Sequence, residues 1–494
     1  MPKPFGMWHV PFVICFVVLA TMNSAGYRYG ASDQAFYIPV VLRALDPALF
    51  PRDAALIDSQ GHLTLFDNVV AGVIKVTGVS IQHLFLGLYL LSLALLVTAS
   101  LRIARRFYAT AWTGLALAAA LTLRHEIAKT GANMLEGYFQ PRQLAFALGL
   151  WAVAAFLDRR DWLWPLLLAT AAALHPTTAM WFVVWLAVAA WFGRTRWRPA
   201  LTAAAAVGAA GVALAIWRGP LEGRLAIMDR DWLAVIADKG YLFPVGWPVS
   251  AWITNLVSVP VIVLAWRARA RRGLTIDGET PLVLGALALV LVFVVSLPLN
   301  AARVALVIQL QIPRVFWMLD VFGTIYLVWW LSEGGAAGPS RTRAAIVTTV
   351  VLLCSMARGT YANFVQFRDR PLFAVDVANP DWRDAMAWAR STDVDSGWLA
   401  DPMHAVKYGS SVRAAGWRDV LLERVKDHAL AMYDRSIAMR VADREQALSV
   451  LAWDTPSGAR ALAKRYDLDY LVIDHPLDLP LAHRSGSLFI YKLR

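Results

Sequence analysis

Apolar runs of membrane-spanning length recur from Trp8 to about Met356, separated by short polar or charged stretches. The pattern predicts about eleven spans, over 7–24, 81–100, 110–124, 142–157, 162–175, 177–193, 199–217, 249–266, 281–298, 315–331 and 344–357. After about Ala357 the pattern changes. Helical spacing over Trp382 to Ala389 and Ala414 to Met439 alternates with strand-like runs at 397–401, 470–474 and 488–493. The expected fold is therefore an α-helical polytopic membrane protein over 1–357, carrying a small C-terminal α/β domain over 358–494.

Charge then orients the chain. Arginines cluster in every second loop: Arg102, Arg105 and Arg106; Arg159 and Arg160; Arg194, Arg196 and Arg198; Arg267, Arg269, Arg271 and Arg272; Arg341 and Arg343. With Lys3 they place the N-terminus in the cytoplasm, since cytoplasmic loops carry the excess of Lys and Arg. The odd number of spans puts the tail outside. The basic start, apolar stretch and small residues Ser24 and Ala25 also fit a cleaved signal peptide, which leaves the orientation unchanged. Composition agrees with a membrane protein, with 58% hydrophobic and 17% charged residues. The net charge of +12 does not indicate nucleic acid, because the cations sit in loops that face anionic lipid. Cys15 and Cys354 each fall inside an apolar run and provide neither an expected disulfide nor a thiolate metal site.

The polar chemistry gathers in the other set of loops, 25–80, 125–141, the His175-Pro176 turn, 218–248 and 299–314. The first is too long to be a simple connector and too apolar to be disordered. Within it Asp33 is either a general base at the membrane boundary or the cap of a helix from Gln34 to Leu45. Glu136 and Arg142 lie in LEGYFQPR, where the arginine can grip a phosphate bidentately or anchor the interface beside Tyr138 and Phe139. His175 can donate to a phosphate or sugar hydroxyl, or simply shape its turn. Arg314 is a second candidate phosphate ligand, unless it pairs with Asp320 a turn and a half later in the tenth span. Asp229 and Asp231 give a D-x-D spacing that can hold a divalent cation through oxygen ligands, although a single such pair carries little information.

The stretch SDQAFYIPVVLRALDPALFPRD, the segment LEGYFQPR, the run LHPTTA and, in the tail, DWRDAMAWAR followed by YDLDYLVID together resemble the GT-C superfamily of integral-membrane glycosyltransferases. That family has a cytoplasmic N-terminus, a long first outer loop with two interfacial helices, many spans and an outer C-terminal domain. The resemblance implies transfer of a sugar from a polyprenyl-phosphate-linked donor to a glycan, lipid or protein acceptor on the outer face of a bacterial inner membrane. Asp33 would be the catalytic base, in an inverting reaction. Glu136, Arg142, His175 and Arg314 would bind donor or acceptor. Many members carry paired acidic residues in the first loop, whereas Gln34 follows Asp33 here, so a metal-independent reaction with no cofactor is expected. A transporter or flippase of a lipid-linked intermediate is the alternative and would depend on Asp320. A non-catalytic scaffold of the same fold is another, marked by a closed cavity with Asp33 paired and buried.

Overall fold

The computed structural model describes residues 9–61, 64–336 and 338–494. Lys3, and the start of the first apolar run, lie outside the described residues. Every predicted span is helical, including His9–Asn23, Ile81–Phe107, Pro141–Leu157, Glu279–Ala301, Val315–Glu333 and Arg341–Tyr361, and the one over 249–266 is broken at Val257 into Val249–Leu256 and Ser258–Arg271. Among the described residues, seven helices are long and apolar enough to cross a membrane. The other four fall short. Ala111–Thr122 and Leu163–Leu174 have 12 residues each, or roughly 18 Å of rise, against a hydrocarbon core of about 30 Å.

Apolar composition explains the helices, and burial sorts them. Pro141–Leu157 is buried along nearly its whole length, with Phe146 stacked on Trp317 at 3.9 Å. Arg198–Arg218 has no buried residue and presents alanine, valine and leucine outward, as a helix solvated by lipid does.

The arginine loops meet at one end of the bundle. Arg102 pairs with Asp158 at 2.5 Å, Arg159 and Arg194 both reach Asp277 at 2.8 and 3.3 Å, and Arg272 donates to the carbonyls of Gly334 and Gly335. Because each long helix reverses the chain, the loops with the candidate chemistry collect at the other end.

At that end the first loop forms three helices, Gln34–Leu45, Ala54–Gly61 and Phe66–Thr77, one more than the family pattern suggests. Tyr27 and Arg28 pair as a short parallel strand with Phe373 and Ala374, which ties the loop to the start of the tail. The tail contains a five-stranded mixed sheet, in the order Asp419–Val420, Gly397–Ala400, Tyr470–Ile473, Leu488–Lys492 and Leu481–Ser485. The first three strands run parallel and the last two join antiparallel. All three strand-like runs of the sequence are strands. The long helix expected over Ala414 to Met439 is instead broken into Val412–Gly416, the strand Asp419–Val420, Arg424–Leu430 and the start of Arg435–Val450. Trp417 in the left-handed region ends the first piece, and the buried run from Asp419 to Leu422 joins the sheet.

A buried ionic network fastens the tail onto the first loop. Arg413 donates to Asp53 at 2.6 Å and to both oxygens of Asp427 at 2.6 and 3.0 Å, and all three side chains are almost completely buried. Arg440 also pairs with Asp53, while Asp419 accepts the backbone N–H groups of Arg52 and Asp53. Removing one member of such a set leaves an uncompensated buried charge. Arg413→Met is therefore expected to cost about 3–5 kcal/mol of tail stability. Hydrogen exchange over residues 397–473 measures it, and unchanged protection there would show that the network does not hold the tail.

Candidate functional site

The end of the bundle opposite the arginine loops encloses an open cavity of about 960 Å³ under the tail. Asp33, Glu136, Arg142, His175 and Arg314, chosen from separate loops of the sequence, all line it. So do Tyr241, Gln311, Lys426 and Tyr433.

Asp33 is placed by Ser32, which takes a positive φ of 52° and turns the chain into the helix Gln34–Leu45. Gln34 accepts the N–H of Gly30 at 2.7 Å and donates to the carbonyl of Phe139 at 3.0 Å, which pins the first loop against the second. Asp33 occupies the cap position of the helix but makes no side-chain capping bond. Its carboxylate goes to the cavity instead. One oxygen pairs with the Lys426 ammonium, and the other faces Arg142 and the Tyr138 hydroxyl, both at 3.5 Å. Burial alone would raise the affinity of this carboxyl for a proton; Lys426 first and Arg142 second overcome that and hold it well below the usual carboxylate range. Asp33 is paired but its side chain is 27% exposed to the cavity, so a ligand can reach it.

Arg142 bridges the two carboxylates of the site, reaching Glu136 at 3.2 Å and Asp33 at 3.5 Å. Asn133 donates to the same oxygen of Glu136 at 3.0 Å. Burial is the main influence on Glu136 and raises its proton affinity, with Arg142 acting against it.

Arg314 follows Gln311, another residue at positive φ, through the single turn Ile312–Arg314. It forms no ion pair among the described residues, and its Nε is buried without a hydrogen-bond partner. The alternative pairing with Asp320 does not occur, because Asp320 binds His125 Nδ1 at 2.8 Å. A guanidinium aimed into a cavity and left without a carboxylate is a receptor for an anion.

His175 caps the helix Pro176–Gly193, its Nδ1 accepting the N–H of Thr178 at 3.3 Å. That bond puts the ring proton on Nε2. Burial, and then the charges of Arg314 and Arg142, push its pKa down to about 3, so a neutral imidazole faces the cavity as a donor.

The D-x-D pair stays outside. Asp229 caps the helix Arg230–Ile236 by accepting the N–H of Trp232 at 3.0 Å and pairs with Arg435 at 2.5 Å. Asp231 lines a separate groove with Arg424, Glu445 and Trp453. Their oxygens are not brought together with other ligands; no cluster of three or more His, Cys, Asp or Glu suited to a metal occurs among the described residues.

Sequence reasoning missed Lys426 and Tyr433, which the tail supplies, and Arg28, Arg124 and Arg358. Lys426 sits in the first turn of Arg424–Leu430, where Glu423 caps the helix by accepting the N–H of Lys426 at 3.0 Å. Nothing in ERVKDHAL separates this lysine from a solvated surface residue.

No family model matches the sequence, and no curated protein matches it. Among solved structures the chain is similar to the apo oligosaccharyltransferase of Archaeoglobus fulgidus, at 10% identity and a TM-score of 0.47, over 95% of this chain and 70% of that one. It is also similar to the arabinofuranosyltransferase AftD from Mycobacteria, at 15% identity and a TM-score of 0.45, over 97% of this chain. The chain spans 36% of the length of that second protein.

Proposed function

We propose that this protein transfers a sugar from a polyprenyl-phosphate-linked donor to an acceptor hydroxyl, with Asp33 as the base. The observation that carries the reading is the unpaired Arg314, set in one cavity with Arg142 and the Asp33–Lys426 pair. An anionic leaving group and a proton acceptor are the two requirements of a glycosyl transfer from a lipid phosphate, and this cavity offers a partner for each.

In the reaction the acceptor oxygen bonds to the anomeric carbon as the bond from that carbon to the phosphate oxygen breaks. The electron pair leaves with the lipid phosphate, whose growing charge Arg142 and Arg314 stabilise. The hydroxyl proton passes to Asp33. A weakly basic carboxylate suffices here, because the hydroxyl becomes strongly acidic as its oxygen acquires the new bond. One displacement with one base inverts the anomeric centre, and no step needs a metal. His175 Nε2–H and Glu136 would hold sugar hydroxyls on either side. The apolar helices below the cavity would take the lipid tail, and the acceptor would enter beneath the C-terminal domain.

The test is transfer of radiolabelled sugar from a panel of polyprenyl-phosphate sugars by the purified full chain in lipid, comparing wild type with Arg314→Gln. Loss of a charge-assisted contact to the leaving group is expected to lower kcat/KM roughly 10- to 100-fold with the competent donor. Absence of transfer from every donor by the wild-type protein sinks the reading.

A further inference from the structure

The cavity carries a second group of cations, paired neither with Asp33 nor with Glu136, that sugar transfer from a lipid phosphate leaves unused. Arg28, Arg124 and Arg358 form this group and line the cavity together with Glu126, Lys129 and Asn133. None of the three forms an ion pair among the described residues, although Glu126 lines the same cavity. The Nε of Arg28 is buried without a hydrogen-bond partner. Arg358 donates only to neutral oxygens, the carbonyl and side-chain oxygen of Asn23 at 2.6 and 2.9 Å. The cations also repel one another. Burial and then the charges of Arg370 and Arg124 weaken the hold of Arg28 on its proton.

Like charges gathered around an open space and left unpaired by the carboxylates that share it are unfavourable until an anion enters. Glu136 lies within reach of both groups of cations: it is bonded to Arg142 at 3.2 Å, and the charge of Arg124 also acts on it. A single phosphate reaching across would meet that carboxylate.

We infer that Arg28, Arg124 and Arg358 form a second anion subsite, which binds a phosphate or carboxylate carried by the acceptor while the donor phosphate sits at Arg142 and Arg314. The inference deepens the proposed sugar transfer and rests on it for the word acceptor; the subsite itself is a matter of binding. The acceptor class is then an anionic glycan or glycolipid. Its charged group anchors at these three arginines, and its free hydroxyl is presented to Asp33.

The experiment uses the full chain in phosphatidylcholine nanodiscs, which add no net lipid charge, and reads binding by calorimetry. Undecaprenyl phosphate probes the donor subsite, and glycerol 3-phosphate, added after undecaprenyl phosphate is saturating, probes the second. Wild type is expected to bind both at once. Arg124→Gln should weaken glycerol 3-phosphate tenfold or more and leave undecaprenyl phosphate within about twofold, while Arg314→Gln does the reverse. Arg124 is exposed, so its substitution tests the subsite even where Arg28→Gln, with its buried Nε, fails to fold. Displacement of glycerol 3-phosphate by undecaprenyl phosphate, or indifference of its binding to Arg124→Gln, overturns the subsite. A third ligand, undecaprenyl diphosphate, separates the sources: if it excludes glycerol 3-phosphate and is itself weakened by Arg124→Gln, the subsite belongs to the donor and the acceptor assignment falls. Two simultaneous phosphates with no sugar transfer from any donor would uphold the subsite and reject only the proposed reaction.

Discussion

Asp33→Asn is expected to lower sugar transfer by about 10²–10⁴-fold, the usual contribution of a positioned base, while donor binding is kept or tightened. The amide is nearly the same size, accepts the Tyr138 hydroxyl as before, and cannot take a proton. It also releases Lys426 and Arg142 from a carboxylate that now competes with the donor phosphate for both cations. Binding and turnover therefore move in opposite directions, which loss of folding cannot mimic. The measurement is single-turnover transfer beside equilibrium binding of the same donor. Equal transfer by both proteins removes Asp33 as the base, and binding that falls together with transfer reduces it to a structural residue.

How much of this could be seen in the chain beforehand follows from the range of the forces involved. Spans and their polarity are local: an apolar run of sufficient length is a helix whatever surrounds it, and each arginine cluster lies next to the helix end that it marks. That Asp33, Glu136, Arg142, His175 and Arg314 would lie on one side was legible for the same reason, since each sits in or beside a loop on that side of the charge pattern, and the five line one cavity. The short helices were harder to judge. Ala111–Thr122 and Leu163–Leu174 have the composition of spans without their length, and the second stops at His175 because the residue before Pro176 is disfavoured in a helix.

The tail was legible in its strands and misleading in its helices. Ala414 to Met439 has helical spacing, yet Asp419 and Val420 are pulled into a parallel pair with Gly397 and Trp398, a contact with no local signature. That break is what brings Arg413 to Asp53 and Lys426 to Asp33 across several hundred residues. Arg28, Arg124 and Arg358 were invisible for a related reason. Each looks like an ordinary interfacial arginine, and only their convergence on one cavity without ion pairs among the described residues distinguishes them.

Lys426→Met separates an enzyme from a scaffold of the same shape. The Asp33–Lys426 pair is only partly exposed, at 27% and 15% of the two side chains, and a permanently closed pair would be what a non-catalytic scaffold requires. An open cavity beside it and an unpaired Arg314 argue for a pair that exchanges partners: as the donor phosphate arrives, Lys426 can turn to it and leave Asp33 to the acceptor hydroxyl. Two consequences follow from the charge. The donor phosphate loses one of its cations, so KM is expected to rise roughly tenfold. Asp33 loses the strongest of the charges that hold its proton affinity down, so the acidic limb of kcat/KM moves to higher pH, while Lys426→Arg keeps the limb near its wild-type position. The direction follows because a carboxylate must be ionised to act as base, and a raised pKa removes the ionised form sooner as pH falls. If Lys426 only fastens the tail, its loss lowers the melting temperature and leaves both the limb and KM where they were. Donor binding that strengthens without any gain or loss of transfer would mean that the pair never opens in the working protein.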